Sequence, residues 1–193
     1  MKTAARIAIV AVLLVLAAPL RAAVPSLSEV AGRYAVVASG SRLAFTVTAV
    51  GGPGIRGRFA RFDGTIDIPA DSVDRARVTI TIYPDSVTTG QKRIDDFLKS
   101  DAVFDTANEQ AIIFRSTRVR RTGEDTATIE GNLTARGRTF EETFHVRLAE
   151  AQGGNLHFHV QGKVFRSRYG MDVGTPIYSN VVDFDMDLAS RRR

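Results

Sequence analysis

The chain of 193 residues contains no cysteine, no tryptophan and only three histidines. Without cysteine there can be no disulfide framework, no thiolate zinc site and no cysteine nucleophile. A chain of this length is nevertheless long enough to bury a substantial hydrophobic core within one domain. The composition therefore predicts a single globular domain that is held together without covalent cross-links.

The body of the sequence also lacks an excess of basic residues, although the formal net charge of the whole chain is +5. Six basic residues lie near the two ends, namely Lys2, Arg6, Arg21 and the three arginines at 191–193. Residues 23–190 contain 20 basic and 21 acidic residues. Because a neutral body offers no positively charged stripe for a polyanion, we predict no nucleic-acid partner.

The only long apolar run occupies residues 7–18 and follows two basic residues. It is too short to span a bilayer comfortably, and small residues follow it, which is typical of a secretory signal peptide. We predict a signal peptide over residues 1–22, export to the periplasm and no stable membrane span after cleavage. An uncleaved anchor helix is the alternative. The predicted domain then covers residues 23–190, and residues 191–193 form a basic tail.

Most of the remaining sequence alternates apolar and polar residues, which indicates β-strands with one buried face. Residues 114–146 show this most clearly, as three strands separated by turns at 123–125 and 136–138. Residues 50–54, with three glycines and a proline, are predicted to form a loop. Only residues 92–103 have helical spacing. Since closure removes exposed strand edges, we predict an all-β fold, a single antiparallel β-barrel of about eight strands with one short helix inserted.

The apolar face of these strands leaves two interpretations open. An eight-stranded barrel can hold packed side chains or one slender ligand, and both require apolar residues at the same positions. If the interior is a tunnel, the lining and the helix that closes one end supply the ligand-binding residues. These are Phe45, Val47, Ile80, Ile82, Phe97, Leu98, Phe114, Leu133, Phe144, Val146, Phe158, Val160 and Phe184.

Charged residues of the helix and of the last loop resemble a cluster near one mouth of the barrel. The members are Arg93, Asp95, Arg166 and Arg168. Ion pairing between the helix and the loop is the favoured interpretation, and recognition of a ligand headgroup is the alternative.

The three histidines are predicted to share one outward face of a hairpin. A three-residue loop at 151–153 would place His145 opposite His159 and His157 opposite Arg147. Three neighbouring imidazoles could bind a metal ion, but the arginine among them favours exposed strand residues, so we predict no metal site. No nucleophile elbow or catalytic triad motif is present, and we predict no catalytic residues and no enzymatic activity.

Seven segments in this order resemble the YceI-like family of lipocalin-type, polyisoprenoid-binding periplasmic proteins. They lie at residues 41–47 (SRLAFTV), 57–64 (GRFARFDG), 86–90 (SVTTG), 93–100 (RIDDFLKS), 114–117 (FRST), 131–139 (GNLTARGRT) and 166–170 (RSRYG). The resemblance implies a lipocalin-like barrel whose apolar interior holds a prenyl chain. Ala49, Phe97 and Arg136 stand where the family commonly has histidine, so the headgroup contacts are expected to differ.

Together these observations predict a periplasmic binding or carrier protein for a long hydrophobic ligand, without chemistry. The expected partner is a hydrophobic small molecule or lipid, such as an isoprenoid quinone or a polyprenyl lipid. No cofactor is expected apart from such a bound isoprenoid lipid. A packed-barrel stress or structural protein without a stable ligand is the alternative, and a homodimer is an open alternative to a monomer.

Overall fold

The structure, a computed structural model, describes residues 26–193, and the predicted signal peptide lies outside them. One α-helix and ten strands are present in this part of the chain. The strands are β1 (Gly32–Ala49), β2 (Gly52–Phe59), β3 (Phe62–Ile68), β4 (Arg77–Ile82), β5 (Val87–Thr88), β6 (Ile112–Arg121), β7 (Thr126–Ala135), β8 (Arg138–Gln152), β9 (Asn155–Phe165) and β10 (Val181–Arg192). The helix, α1, spans Lys92–Lys99 and follows β5.

Eight of these strands form a closed antiparallel barrel, as the alternation predicted. The order is β1, β3, β4, β6, β7, β8, β9 and β10, and β10 pairs back onto β1. Of the two remaining strands, β2 pairs with the second half of β1 and β5 pairs with β2, both at one end of the barrel. The same end carries α1, so it differs from the opposite end in having a helix and two additional strands of the same sheet.

Strand β1 contacts three neighbours because it bends. Its first half pairs with β3 and its second half with β2, while β10 runs along its other edge. The register with β10 shifts at the bend, where Gly40 adopts a φ of +92°. The Ser41 hydroxyl donates to the Val37 carbonyl at 2.6 Å and accepts from the Ala189 N–H at 2.8 Å. This hydroxyl therefore satisfies backbone groups that the bulge removes from the ladder.

The glycine-rich residues 50–54 are only partly a loop, which corrects the sequence prediction. Strand β2 begins at Gly52, which pairs with Ala49, and after a register shift the ladder to β1 resumes at Ile55. A Cβ at Gly54 would clash with the carbonyl oxygen of Val47. Glycine therefore permits the two strands to approach here, whereas a residue with a side chain would separate them.

Helix α1 is shorter than the predicted segment 92–103. It ends at Lys99 because Ser100 has extended backbone angles, and the Ser100 hydroxyl donates to the Phe97 carbonyl at 2.7 Å. The following apolar residues, Val103 and Phe104, pack on the core from turns rather than from a helix. Within residues 26–193, no helix has both the length and the apolar character required to cross a membrane.

The C-terminal arginines are part of the barrel, which corrects the predicted tail at 191–193. Strand β10 continues to Arg192, whose guanidinium lies 5.0 Å from the centre of the Tyr34 ring and donates to its hydroxyl at 2.7 Å. The Tyr34 hydroxyl in turn donates to the Val30 carbonyl at 2.8 Å. Leu27, Val30 and Tyr34 are all buried, so this N-terminal segment closes the end of the barrel opposite α1. The alternation of apolar and polar residues stops before these arginines. A cation–aromatic contact produces no such alternation, so the sequence pattern did not predict that the strand continues.

Replacing Arg192 with alanine is expected to lower the free energy of unfolding by about 1–2 kcal/mol, because the cation–π contact and the bond to Tyr34 are lost. Arg191→Ala is the matched control, since Arg191 is an exposed neighbour on the same strand and its loss should cost under about 0.5 kcal/mol. Urea denaturation measures both values. Equal effects of the two substitutions would contradict the role assigned to Arg192.

Candidate functional site: an apolar lumen with one polar mouth

The inward faces of the strands enclose a cavity of about 650 Å³. It reaches from Leu27 at the closed end to Phe97 and Tyr178 at the end that carries α1. All thirteen apolar residues predicted as lining are in its wall. The interior is thus not fully packed, and its volume is within the range of ligand pockets, roughly 300–1,000 Å³. Below, this cavity is called the lumen, and its α1 end is called the mouth.

Six phenylalanine rings form a continuous series along part of the lumen wall. Neighbouring ring centres are 5.5, 5.4, 6.5, 6.3 and 5.2 Å apart in the order Phe104, Phe59, Phe45, Phe184, Phe144 and Phe114. These separations lie within the usual range for interacting aromatic side chains. The series joins β1, β2, β6, β8 and β10 with the segment after α1, and it presents ring surfaces to any occupant of the lumen.

Three of these rings lie against inward-facing glycines. A Cβ on Gly57 would be 2.6 Å from Cζ of Phe45, and one on Gly131 would be 2.6 Å from Cζ of Phe114. A Cβ on Gly162 would likewise clash with the ring of Phe144. Each ring occupies the space that a side chain on the opposing strand would take. Because the rings lie along the wall, they leave the centre of the lumen open.

The mouth is formed by α1 and by residues 171–178 of the loop between β9 and β10. Phe97 and Val173 line the lumen and are 44% and 39% exposed, so the lumen reaches the surface here. Ala49 pairs with Tyr178 beside this opening. Arg136 donates to the carbonyl of Val103 at 2.7 Å. The three positions that differ from the family pattern therefore lie at one end of the molecule, although the sequence separates them widely.

Arg166 organises the loop side of the mouth. It begins a 3₁₀ turn (Arg166–Tyr169), and its guanidinium donates hydrogen bonds to four loop carbonyls while only 8% of the residue is exposed. The acceptors belong to Ser179 at 2.8 Å, Val173 at 2.9 Å, Tyr178 at 3.2 Å, and Met171. Burial lowers the pKa of this guanidinium. A planar cation with several fixed donors is well suited to hold a loop in one conformation.

The helix side of the mouth is fixed by Asp95. Its carboxylate accepts from the Thr89 N–H at 2.6 Å and from the Thr89 and Thr88 hydroxyls at 2.7 and 3.2 Å. The hydrogen bond from the Thr89 side chain is the main cause that lowers the pKa of Asp95. Asp95 therefore ties α1 to β5. The predicted ion pairing between the helix and the last loop is absent from residues 26–193, because Asp95 binds threonines and Arg166 binds carbonyls.

Glu142 is a buried carboxylate that the sequence analysis missed. It has the same parity on β8 as the inward-facing Phe144, and it is only 6% exposed. The buried Tyr169 hydroxyl donates to it at 2.9 Å, and Arg168 lies 3.9 Å away. Burial, and then the hydrogen bond to Glu142, raise the pKa of Tyr169. An acidic residue at an inward position of an apolar alternation was the signal that could have identified it.

The histidine arrangement differs from the prediction. The hairpin turn has two residues, Gly153 and Gly154, both with positive φ, and a bulge follows Leu148. His159 consequently faces Arg147, while His145 faces Gln161 and His157 faces Glu150. Within the described residues, no group of three or more His, Asp or Glu side chains has the geometry to hold a metal ion.

A closed eight-stranded antiparallel barrel around an apolar cavity is a lipocalin-type architecture. A sequence model of the YceI-like domain matches residues 34–190, and the chain belongs to the YceI-like family. The protein YceI of Salmonella arizonae is 30% identical over 144 residues, which cover 71% of this chain and 75% of that protein. A UPF0312 protein of Staphylococcus epidermidis is 27% identical over 124 residues, covering 61% of this chain and 70% of that protein.

Solved structures support the same fold. BcnA of Burkholderia cenocepacia superposes with a TM-score of 0.73 at 21% identity, covering 80% of this chain and 98% of that one. A domain from Saccharophagus degradans described as polyisoprenoid-binding superposes with a TM-score of 0.69 at 16% identity, covering 83% of this chain and 98% of that one. At these identities the similarity shows the fold.

Replacing Gly131 with alanine is expected to destabilise the protein by about 1–3 kcal/mol, because the new methyl group meets both Phe114 and the Arg115 carbonyl, 2.5 Å away. Gly52→Ala is the control, since a Cβ at Gly52 has no atom within 4 Å, and its cost should be under about 0.5 kcal/mol. Thermal and urea unfolding measure both. If Gly131→Ala leaves the stability unchanged, the ring of Phe114 can move to make room for the methyl group.

Replacing Arg166 with methionine is expected to release the loop at 171–178, because four carbonyls lose their donor. Amide hydrogen exchange of Tyr178, which donates to the Gly174 carbonyl at 2.9 Å, should become at least about tenfold faster. The control is Arg168→Met in the same turn, whose side chain is 48% exposed and should leave Tyr178 protected. Unchanged exchange in Arg166→Met would refute the anchoring role.

Proposed function

We propose that this protein binds a long hydrophobic chain inside the barrel, without chemistry, as a periplasmic binding or carrier protein. The supporting observation is the apolar lumen, which reaches from Leu27 near the closed end to the mouth. A long, narrow space lined by aliphatic and aromatic side chains favours a linear hydrocarbon over a compact polar metabolite. The polyisoprenoid-binding description of the Saccharophagus degradans domain supports an isoprenoid lipid as the chain.

The expected energetics are sufficient for such a carrier. Burying ten methylene-sized groups contributes roughly 8 kcal/mol at about 0.8 kcal/mol each. That corresponds to an affinity near the micromolar range before the cost of ordering the chain is subtracted. An affinity of this order allows both loading and release, as a carrier requires.

A binding role without catalysis is supported by the chemistry of the lumen wall. In the part of the chain that the structure describes, its polar side chains belong to Gln91, Arg93, Arg166, Tyr169 and Tyr178. General acid–base catalysis commonly uses an imidazole or a carboxylate in contact with substrate, and neither belongs to this lining. The periplasmic location is supported by the signal-peptide pattern at residues 1–22.

Native mass spectrometry of the full chain purified from its own periplasm, with organic extraction of any adduct, tests the proposal. We expect a stoichiometric lipid adduct with a prenyl-type mass. Protein without an adduct that also takes up no added quinone or polyprenol would refute the proposal. It would favour the alternative of a structural or stress protein whose function lies on its surface.

Val146→Phe provides a structural control for the same experiment. Val146 lines the lumen, and the larger ring should occupy space that the chain needs, so we expect about a tenfold or greater loss of lipid affinity. His145→Phe places the same phenyl ring on the exposed outward face of the same strand and should leave lipid affinity unchanged. Equal affinities of the two variants would place the lipid outside the lumen.

A further inference from the structure

The large apolar side chains that are substantially exposed to solvent lie at the mouth end of the barrel. Within residues 26–193 they are Val50, Phe97, Phe140, Phe165, Val173 and Ile177. At the closed end, by contrast, Leu27 and Val30 are buried. Single exposed apolar residues are common on any protein surface, but six of them gathered at one end indicate an interaction surface. Below, these six residues are called the rim.

The rim follows elements that neighbour one another around the opening. Phe140 is near the start of β8, and Phe165 ends β9. Val173 and Ile177 lie in the loop between β9 and β10, and Val50 lies in the turn between β1 and β2. Because β8, β9, β10, β1 and β2 pair in this order, these residues surround much of the mouth, and α1 contributes the sixth.

The two most exposed members of the rim are held in place by backbone hydrogen bonds. Val50 is 81% exposed and Ile177 is 62% exposed. The Val50 N–H donates to the Ile177 carbonyl at 2.9 Å, and the Ser179 N–H donates to the Thr48 carbonyl at 2.8 Å. The turn and the loop therefore form one hydrogen-bonded edge that presents apolar side chains to solvent.

Arg168 lies between two aromatic residues of the rim. Its guanidinium is 5.4 Å from the centre of the Phe165 ring and 5.8 Å from that of Phe140. Among the described residues its carboxylate contact is with the buried Glu142, at 3.9 Å, which is longer than a hydrogen bond. A long basic side chain that covers aromatic surface and keeps its charge in water is suited to the boundary between hydrocarbon and water.

Two further exposed arginines adjoin the rim. Arg93 lies on α1, and Arg138 donates to the Arg168 carbonyl at 3.3 Å. Neither has an ion-pair partner within residues 26–193. Glu141 and Asp172 are exposed beside the rim, so the excess of positive charge is small. An anionic surface is favoured by this excess, while the apolar side chains supply most of the attraction.

The shape of the rim favours a lipid bilayer over a protein partner. A protein interface has its apolar core at the centre, packed to the density of an interior. Here the centre is the opening of the lumen, and the apolar side chains surround it, so a protein seated on the rim would cover a void. Fluid acyl chains have no fixed shape and can contact such a ring. A second copy placed mouth to mouth would bring the same arginines together.

We propose that the rim docks this protein on the surface of a phospholipid bilayer. The apolar side chains enter the boundary between headgroups and acyl chains, and Arg93, Arg138 and Arg168 face the lipid phosphates. The mouth then faces the membrane and the closed end faces water. The inference rests on the proposed function for its purpose, since a hydrophobic chain would pass between bilayer and lumen without crossing water.

Vesicle flotation tests the proposal on the protein purified from its own periplasm. Vesicles of phosphatidylcholine alone are compared with vesicles that also contain phosphatidylglycerol. We expect binding to both, about threefold or more tightly to the mixed vesicles, and added salt should remove this difference. Protein that floats with neither kind of vesicle would refute the proposal.

Substitutions of the two most exposed apolar residues assign the binding to the rim. Val50→Ser combined with Ile177→Ser should weaken binding to both kinds of vesicle about tenfold, because apolar surface is lost. Val50→Leu combined with Ile177→Leu keeps that surface and should bind like the unaltered protein. Thermal unfolding verifies that both variants are folded. If the serine variant binds normally, another segment carries the attachment and the proposal is wrong.

Substitutions of arginines test the contribution of charge. Arg138→Gln combined with Arg168→Gln should weaken binding to the mixed vesicles severalfold and leave binding to phosphatidylcholine nearly unchanged. The matched control is Arg115→Gln combined with Arg120→Gln, which removes two exposed arginines from β6 on the side of the barrel. Equal effects of the two double variants would contradict the predicted orientation.

A fluorescent reporter tests the orientation directly, because the chain contains no tryptophan. The emission of Ile177→Trp should move to shorter wavelength when vesicles are added, since the indole leaves water. His145→Trp, on the outward face of β8, should show no such shift. A shift in the second variant alone would show that the side of the barrel, and not the mouth, contacts the bilayer.

The outcomes separate this inference from the proposed function. Val146→Phe narrows the lumen and should dock like the unaltered protein while its lipid uptake falls. If the protein takes up lipid but does not bind vesicles, the docking surface is wrong and the lipid-binding function stands. If it binds vesicles through the rim but takes up no lipid, the lipid-binding function fails while the docking surface stands.

Discussion

The bend in β1 is the constraint on which the rest of the barrel depends. One strand pairs with β10 along one edge and with β3 and then β2 along the other, and this is geometrically possible only because the bulge at Gly40 and Ser41 redirects it. The bend closes the sheet, which removes exposed strand edges. It also creates the asymmetry between the two ends, since β2, β5 and α1 are all positioned beyond it.

A second constraint prevents the inward-facing side chains from filling the interior of the closed barrel. Barrels of eight strands are narrow, and large side chains on every inward position would meet in the middle. Glycines at 57, 131 and 162 allow facing phenylalanine rings to lie along the wall. The same aromatic residues that stabilise the core therefore define an open lumen, and stability and capacity for a ligand are not in conflict here.

The sequence predicted what depends on periodicity and missed what depends on single local interactions. Alternation identified the barrel and the eleven strand residues predicted for the wall, because the facing of a strand residue follows from its parity, while helical spacing identified Phe97 and Leu98. The hairpin register was wrong because one bulge after Leu148 and a two-residue turn shift every pair. The burial of Glu142 was visible as an acidic residue at an inward position, but its partner Tyr169 lies 27 residues further along the chain. The acceptors of Arg166 are backbone carbonyls of the following loop, and carbonyls leave no side-chain pattern in the sequence.

The closed end has a consequence for how a chain is accommodated. Leu27, Val30 and Tyr34 are buried at the end opposite α1, so under the proposed function a hydrophobic chain would enter through the mouth, with its tail first. If the lumen holds a chain as proposed, carbons beyond its depth would remain outside, beside the exposed side chains of Val173 and Ile177. The depth of the lumen, and not the composition of its wall, then sets the length of chain that is fully sheltered from water.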